Sequence, residues 1–303
     1  MKKVIFILSV GHSGSTLLDI MLGQFNNIFS TGELKHLTWQ YYRQITNDPT
    51  TQKCTCSKSF DQCEVWSKVI DDLANFRNVD IKDVPELVPL KHFDSLSYFT
   101  NLKKDKILRY IYNRNLVYKL IPQHIFTLLF KKVNENNIIL YQSIYDQNPN
   151  VDYIIDSSKN IIRYNELKKT THTFPIILIR NINEVLKSKY VKGNKNQILA
   201  WQNYYNKKCY PILKNLDEKE FHIVSYEMFI HNPEQVINEL SEKMEIDTAN
   251  FKKTVNMDNY HLVAGNPMRY ESEITIKQKE HIKEDVLLDL ERAGLNKFFI
   301  DRI

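Results

Sequence analysis

Two glycines, three hydroxyl side chains and an imidazole share one short stretch near the N-terminus, Gly11-His12-Ser13-Gly14-Ser15-Thr16. Residues of these types suit the holding of an anion. Glycines let the backbone approach oxygen atoms without a Cβ in the way, and the hydroxyls of Ser13, Ser15 and Thr16 are donors. The flanking elements decide whether the stretch works. Val4-Ile5-Phe6-Ile7-Leu8 is an apolar, β-branched run that reads as a buried strand stopping at Gly11, and Thr16 to Leu22 reads as a helix. Strand, Gly/Ser loop and helix together aim backbone N–H groups and the positive end of a helix dipole at a phosphate.

A kinase-type loop has the form G-x-x-x-x-G-K-[ST]. Aligned on Gly14, this chain has Ser9 in place of the first glycine and Ser15 in place of the lysine. The form Gly11-His12-Ser13-Gly14-Ser15-Thr16-Leu17-Leu18 instead resembles the 5′-phosphosulfate loop of sulfotransferases that use 3′-phosphoadenylyl sulfate (PAPS). That resemblance implies a P-loop-type α/β fold with a central parallel sheet and assigns residues 11–17 to the donor nucleotide. His12 stands where the family commonly has Lys or Arg.

Five further stretches carry candidate chemistry. Ile28 to Ser30 reads as a second strand ending at Gly32, which sets Glu33 at the ligand-binding edge of an open α/β sheet. Glu33 suits a general base or an ordinary helix N-terminal glutamate, and His36 lies one helical turn on. The Gly32-Glu33 pair is similar to one that carries the catalytic glutamate in several sulfotransferase subfamilies. The strand Val151 to Asp156 ends in Ser157-Ser158-Lys159, with Asp156 or Ser157 available to cap a helix over 159–169. The resemblance puts Lys159 against the transferring sulfuryl group.

Phe174 to Arg180 is the clearest central strand, and Ser188 follows Arg180 two helical turns later. An Arg and a Ser at that separation can converge on one phosphate, the arginine through its forked donors. In the family that pair holds the 3′-phosphate. Phe221 to Glu227 reads as a strand running into Tyr226-Glu227, which the resemblance places by the adenine through Tyr226. The loop His261…Gly265-Asn266-Pro267-Met268-Arg269 resembles a family segment that returns over the nucleotide, implying contacts from Gly265, Asn266 and Arg269.

The chain has 303 residues, 43% of them apolar, enough for one large α/β domain over 1–303. Residues 40–150 read as a helical insertion or acceptor-side lid, with helical spacing around 64–77, 102–119, 122–132 and 135–146. A net charge of +5, spread along the chain, fits anionic substrates and does not call for nucleic acid. The apolar run after Lys3 is too short for a signal sequence and leads straight into the loop, so a cytoplasmic protein without a transmembrane segment is expected. Cys54-x-Cys56-x6-Cys63 offers three thiolates with no fourth ligand at a familiar spacing, and such a cysteine-bearing loop also occurs in some bacterial sulfotransferases.

The resulting expectation is in-line transfer from PAPS to a small-molecule, glycan or lipid hydroxyl, leaving 3′-phosphoadenosine 5′-phosphate (PAP) and requiring no metal. A small-molecule kinase of P-loop type and a catalytically inactive nucleotide-binding module are the alternatives. The acceptor and the oligomeric state are not legible at this level.

Overall fold

The computed structural model describes residues 3–90, 123–187, 195–248, 250–266, 270–276 and 283–295. Five strands form one parallel sheet: β1 (Lys3–Leu8), β2 (Ile28–Ser30), β3 (Tyr153–Asp156), β4 (His172–Ile179) and β5 (His222–Ser225), in the order β2-β3-β1-β4-β5. β1 pairs on one side with β3 (Ile5 opposite Ile155) and on the other with β4 (Ile5 opposite Phe174). A parallel sheet covered on both faces needs unbroken apolar strands. Val4 to Leu8 and Ile176 to Ile179 meet that need, each at most 2% exposed.

Helix α1 (Ser15–Leu22) follows β1. Between β2 and β3 the described chain is helical: α2 (Leu37–Ile45), α3 (Glu64–Arg77), α4 (Val84–Leu87) and α5 (Gln123–Gln147). The helix expected over 102–119 lies outside the described residues. Those expected over 122–132 and 135–146 are a single helix, because Lys132-Val133-Asn134-Glu135 contains neither Gly nor Pro to interrupt it. After β3 come α6 (Ile161–Leu167), and after β4, α7 (Ile182–Lys187) and α8 (Lys195–Tyr204).

The helical chain of α8 continues past Tyr204 without a gap. A π-type turn at Tyr205–Cys209 leads into α9 (Tyr210–Leu213), whose Pro211 can neither donate to the preceding turn nor fit its carbonyl. α10 (Tyr226–His231) and α11 (Pro233–Met244) follow β5, then a two-stranded antiparallel ribbon, β6 (Thr254–Asn256) with β7 (Glu273–Thr275), and α12 (Lys283–Arg292). The strand expected to reach Glu227 stops at Ser225, whose hydroxyl accepts the Met228 N–H and caps α10. No helix among the described residues is long and apolar enough to cross a membrane.

The connection leaving β1 runs toward β2, and the one leaving β4 runs toward β5. The crevice between the carboxyl ends of β1 and β4 is therefore the topological switch point, where open α/β sheets bind ligands.

Candidate active site

The β1–α1 loop turns at that switch point. Gly14 precedes α1 with φ +87°, and a Cβ there would fall 2.2 Å from the Tyr226 ring, so only glycine fits. The Ser13 side chain is buried and donates to the Val10 carbonyl at 2.8 Å. The expectation that the Ser13 hydroxyl faces an anion is thereby corrected: it braces the loop from inside. Ser15, Thr16 and Leu17 open α1, where backbone N–H groups have no partner within the helix. Thr16 Oγ1 accepts the Asn266 N–H at 3.3 Å, which seats the 264–266 segment against the loop.

Glu33 lies opposite, past the end of β2. Its Oε1 accepts from Lys159 Nζ at 2.7 Å, and its Oε2 faces Lys35 Nζ at 3.3 Å and His36 Nε2 at 3.5 Å. Burial alone would raise this carboxyl, but Lys159, the His36 hydrogen bond and Lys35 hold it well below the usual carboxylate range. Glu33 is therefore ionised across the neutral and mildly acidic range. Lys35 was not singled out by sequence reasoning. Its Nζ also donates to the Ser158 carbonyl at 2.6 Å, joining the two strand ends.

The backbone under Glu33 is fixed from two directions. Asp19, on the buried face of α1, accepts the Gly32 N–H at 3.1 Å and the Ser30 hydroxyl. Burial pushes its carboxyl up to about 7. From the other side Val263 pairs in parallel with Gly32: its N–H donates to the Thr31 carbonyl at 2.8 Å, and its carbonyl accepts the Glu33 N–H at 2.7 Å.

Lys159 is held by the turn after β3. Asp156 caps no helix: its Oδ1 accepts the Ser158 N–H at 2.9 Å, and its Oδ2 pairs with Arg163 at 2.7 Å and takes the Tyr141 hydroxyl at 2.7 Å. The helix begins at Ile161 and is capped by Asn160, so its expected start at 159 is corrected. Lys159 itself has φ +59°, a left-handed conformation that a non-glycine residue adopts only when its surroundings impose it. Tyr204 donates to its carbonyl at 3.1 Å.

Arg180 reaches the loop from the end of β4. Its Nη1 donates to the His12 carbonyl at 2.9 Å and its guanidinium stacks 4.5 Å from the Tyr226 ring, while its buried Nε has no partner among the described residues. Glu227 accepts the Asn181 N–H at 2.9 Å and so fixes the turn that carries Arg180. Burial, Lys159 and Arg180 together lower the His12 imidazole, which is neutral at physiological pH. The cationic groups around the loop are Arg180 and Lys159 rather than His12.

These groups open onto one cleft of about 1540 Å³. Gly11, His12, Gly14, Ser15, Thr16, Leu17, Glu33, His36, Lys159, Arg180, Tyr226, Gly265 and Asn266 all line it. Ser188 and Arg269, expected at the same site, lie outside the described residues. Sequence reasoning missed Trp39, Arg43, Trp201 and Tyr204 as lining residues. Trp39 packs flat against Tyr42 at 5.5 Å and under Arg43 at 4.9 Å. An aromatic and a cation at helical spacing in α2 was the available signal.

A family model described as "Sulfotransferase family" matches residues 4–250. Among solved structures, a sulfotransferase domain of the Synechococcus PCC 7002 olefin synthase is similar over 99% of this chain and 94% of its own, at 16% identity and a TM-score of 0.50. A sulfotransferase domain from the curacin biosynthetic pathway covers 97% and 98% of the two chains at 15% identity, with a TM-score of 0.47. No curated protein matches the sequence. The parallel sheet with its glycine-bearing loop at the switch point accounts for a shared fold, and the match over 4–250 adds the lineage: the chain belongs to the sulfotransferase family.

Proposed function

We propose that the protein transfers a sulfuryl group from PAPS to an acceptor hydroxyl, with Glu33 as general base and Lys159 and Arg180 as the principal cationic groups. The observation that carries this reading is the Glu33–Lys159 pair, 2.7 Å apart and facing the anion loop across one cleft. The fit to a nucleotide bearing two anionic ends rests on unsatisfied donors. The buried Arg180 Nε and the buried Ser9 hydroxyl, both of cleft-lining residues, have no partner among the described residues. A buried donor left unpaired is costly, and phosphate oxygens would satisfy these two. The cleft is larger than a site for one drug-sized molecule, leaving room for an acceptor beside the nucleotide.

Bound PAPS supplies the sulfuryl group, whose sulfur exchanges its bond to the phosphate oxygen for one to the acceptor oxygen. The N–H groups of residues 14–17 hold the 5′ end. Arg180, with Ser188 and Arg269, holds the 3′-phosphate, and Tyr226 lies beside the base. Glu33 receives the acceptor proton on a carboxylate oxygen, and its strength as a base rises once Lys159 turns from it toward sulfuryl oxygens. Lys159 then offsets negative charge where it accumulates in the transition state. Trp39 and Arg43 of α2 form the acceptor side of the cleft.

Calorimetric titration with PAP, beside ATP with Mg²⁺, tests the assignment. Metal-independent binding of PAP that is lost in Arg180→Ala supports it. Heat with Mg-ATP and none with PAP would remove PAPS as donor.

A further inference from the structure

The three cysteines of the loop after α2 do not stand alone. His261, which follows them by about 200 residues, completes a group in which one ligand atom each of Cys54, Cys56, Cys63 and His261 lies within 4.8 Å of the others. Cys54 and Cys63 Sγ are 3.6 Å apart, and His261 Nδ1 is 3.7 Å from the first and 3.2 Å from the second. A tetrahedral zinc with bonds of about 2.3 Å to sulfur and about 2.0 Å to nitrogen separates two sulfurs by about 3.8 Å, and a sulfur from a nitrogen by about 3.5 Å. The thiol separation is far beyond the roughly 2.05 Å of a disulfide. We propose that Cys54, Cys56, Cys63 and His261 form a structural zinc site that clamps the C-terminal segment onto the base-bearing edge of the sheet.

The surroundings are built for an ion. Cys54, Cys63 and His261 are buried, none of the four residues lines the cleft, and three thiolates with one imidazole make a closed set that favours zinc. The other ring nitrogen of His261, Nε2, faces the Glu64 carboxylate at 3.4 Å, an orienting partner of the kind that metal-bound histidines keep. The loop presents its thiols through a tight turn. Ser57 has φ +64° and donates to the Cys54 carbonyl at 2.9 Å, while Cys63 sits at the N-terminus of α3.

The consequence lies two residues along. His261 leads directly to Val263, whose backbone bonds to Thr31 and Glu33, and Leu262 donates to Thr55 Oγ1 at 2.9 Å. A metal joining residues 54–63 to His261 thus holds the strand segment on which Glu33 rests. This inference does not depend on PAPS as donor.

The test starts with the metal content of the full chain, refolded or purified under reductant with zinc. One zinc equivalent per chain is expected, falling at least about tenfold in Cys56→Ser and retained in His261→Cys. Cobalt in place of zinc should give visible and near-ultraviolet thiolate–cobalt bands. Hydrogen exchange then reads the clamp: the Glu33 and Val263 amides should exchange at least about tenfold faster in Cys56→Ser, with β1 and β4 amides unchanged. A folded protein holding under about a tenth of an equivalent, a Cys54–Cys63 disulfide in reductant-free preparations, or cobalt binding without thiolate bands would overturn the site. Unchanged exchange at both amides would overturn the clamp.

Discussion

Glu33 is surrounded by more positive charge than a resting carboxylate requires, and this sets what its substitution should do. Glu33→Gln removes the proton acceptor but keeps the shape and one carbonyl oxygen for Lys159. Turnover is expected to fall by about 10²–10⁴-fold, with PAP affinity little changed. Turnover near wild type would remove Glu33 as the base. Because its carboxyl is held well below the usual range, the acid limb of kcat/KM should lie lower than for an ordinary glutamate. Arg180→Ala should weaken PAP more than 5′-AMP, and Ser188→Ala likewise; equal losses for the two nucleotides would detach either residue from the 3′-phosphate. Most of these residues were legible in the sequence because each sits at a strand end beside a glycine, a serine pair or an arginine. Lys35, Asp19 and Glu227 were not, since their importance comes from which atoms they meet across the fold rather than from any local pattern.

At the scale of elements, two turns decide whether the side chains converge. Gly32 has φ +74°, and a Cβ there would fall 2.5 Å from the Val263 carbonyl oxygen, which as backbone cannot rotate away. Gly32→Ala is expected to lower Tm and to cut kcat while leaving PAP affinity near wild type, because the anion loop is built on a different turn. The turn after β3 depends on the buried Asp156–Arg163 pair, whose arginine also donates to the Leu90 carbonyl at 2.9 Å. Arg163→Met leaves a buried carboxylate without its counter-charge and should cost about 3–5 kcal/mol in denaturant unfolding. A cost below about 1 kcal/mol would mean that Tyr141 and Ser158 alone satisfy Asp156. β2 follows directly from its apolar pattern, with bounds that match the sequence reading, and α11 opens at Pro233, where a helix tolerates proline. The π-type turn after Tyr204 and the β6–β7 ribbon do not, because one depends on a single proline and the other on three-residue strands whose pattern is too short to stand out.

For the whole molecule, two carboxyls of opposite tendency, the buried Asp19 and the part-buried Glu33, shape stability against pH. Asp19 is raised to about 7, so the native state keeps a proton that the unfolded chain has already lost. Its contribution is complete below the ordinary carboxylate value and disappears as pH rises through about 7. Glu33 acts in reverse: its contribution is present above the ordinary value and is lost as pH falls through its lowered one. Stability should therefore be greatest in the mildly acidic range. Asp19→Asn, which can still accept from Gly32 and meet Ser30 through its amide, should flatten the decline between about pH 4 and 7 in thermal melts. A decline as steep as in wild type would assign it to another group.

The short pairing of Gly32 with Val263 also has a consequence in time. A chain emerging from the ribosome has all five sheet strands once Ser225 has appeared, with the β1–α1 loop and the Lys159 turn already made. The residue that fixes the backbone at Glu33 is made almost forty residues later. A nascent chain arrested between these points would have its sheet but an unanchored Glu33, so that under the proposed function nucleotide binding would precede catalytic competence during synthesis.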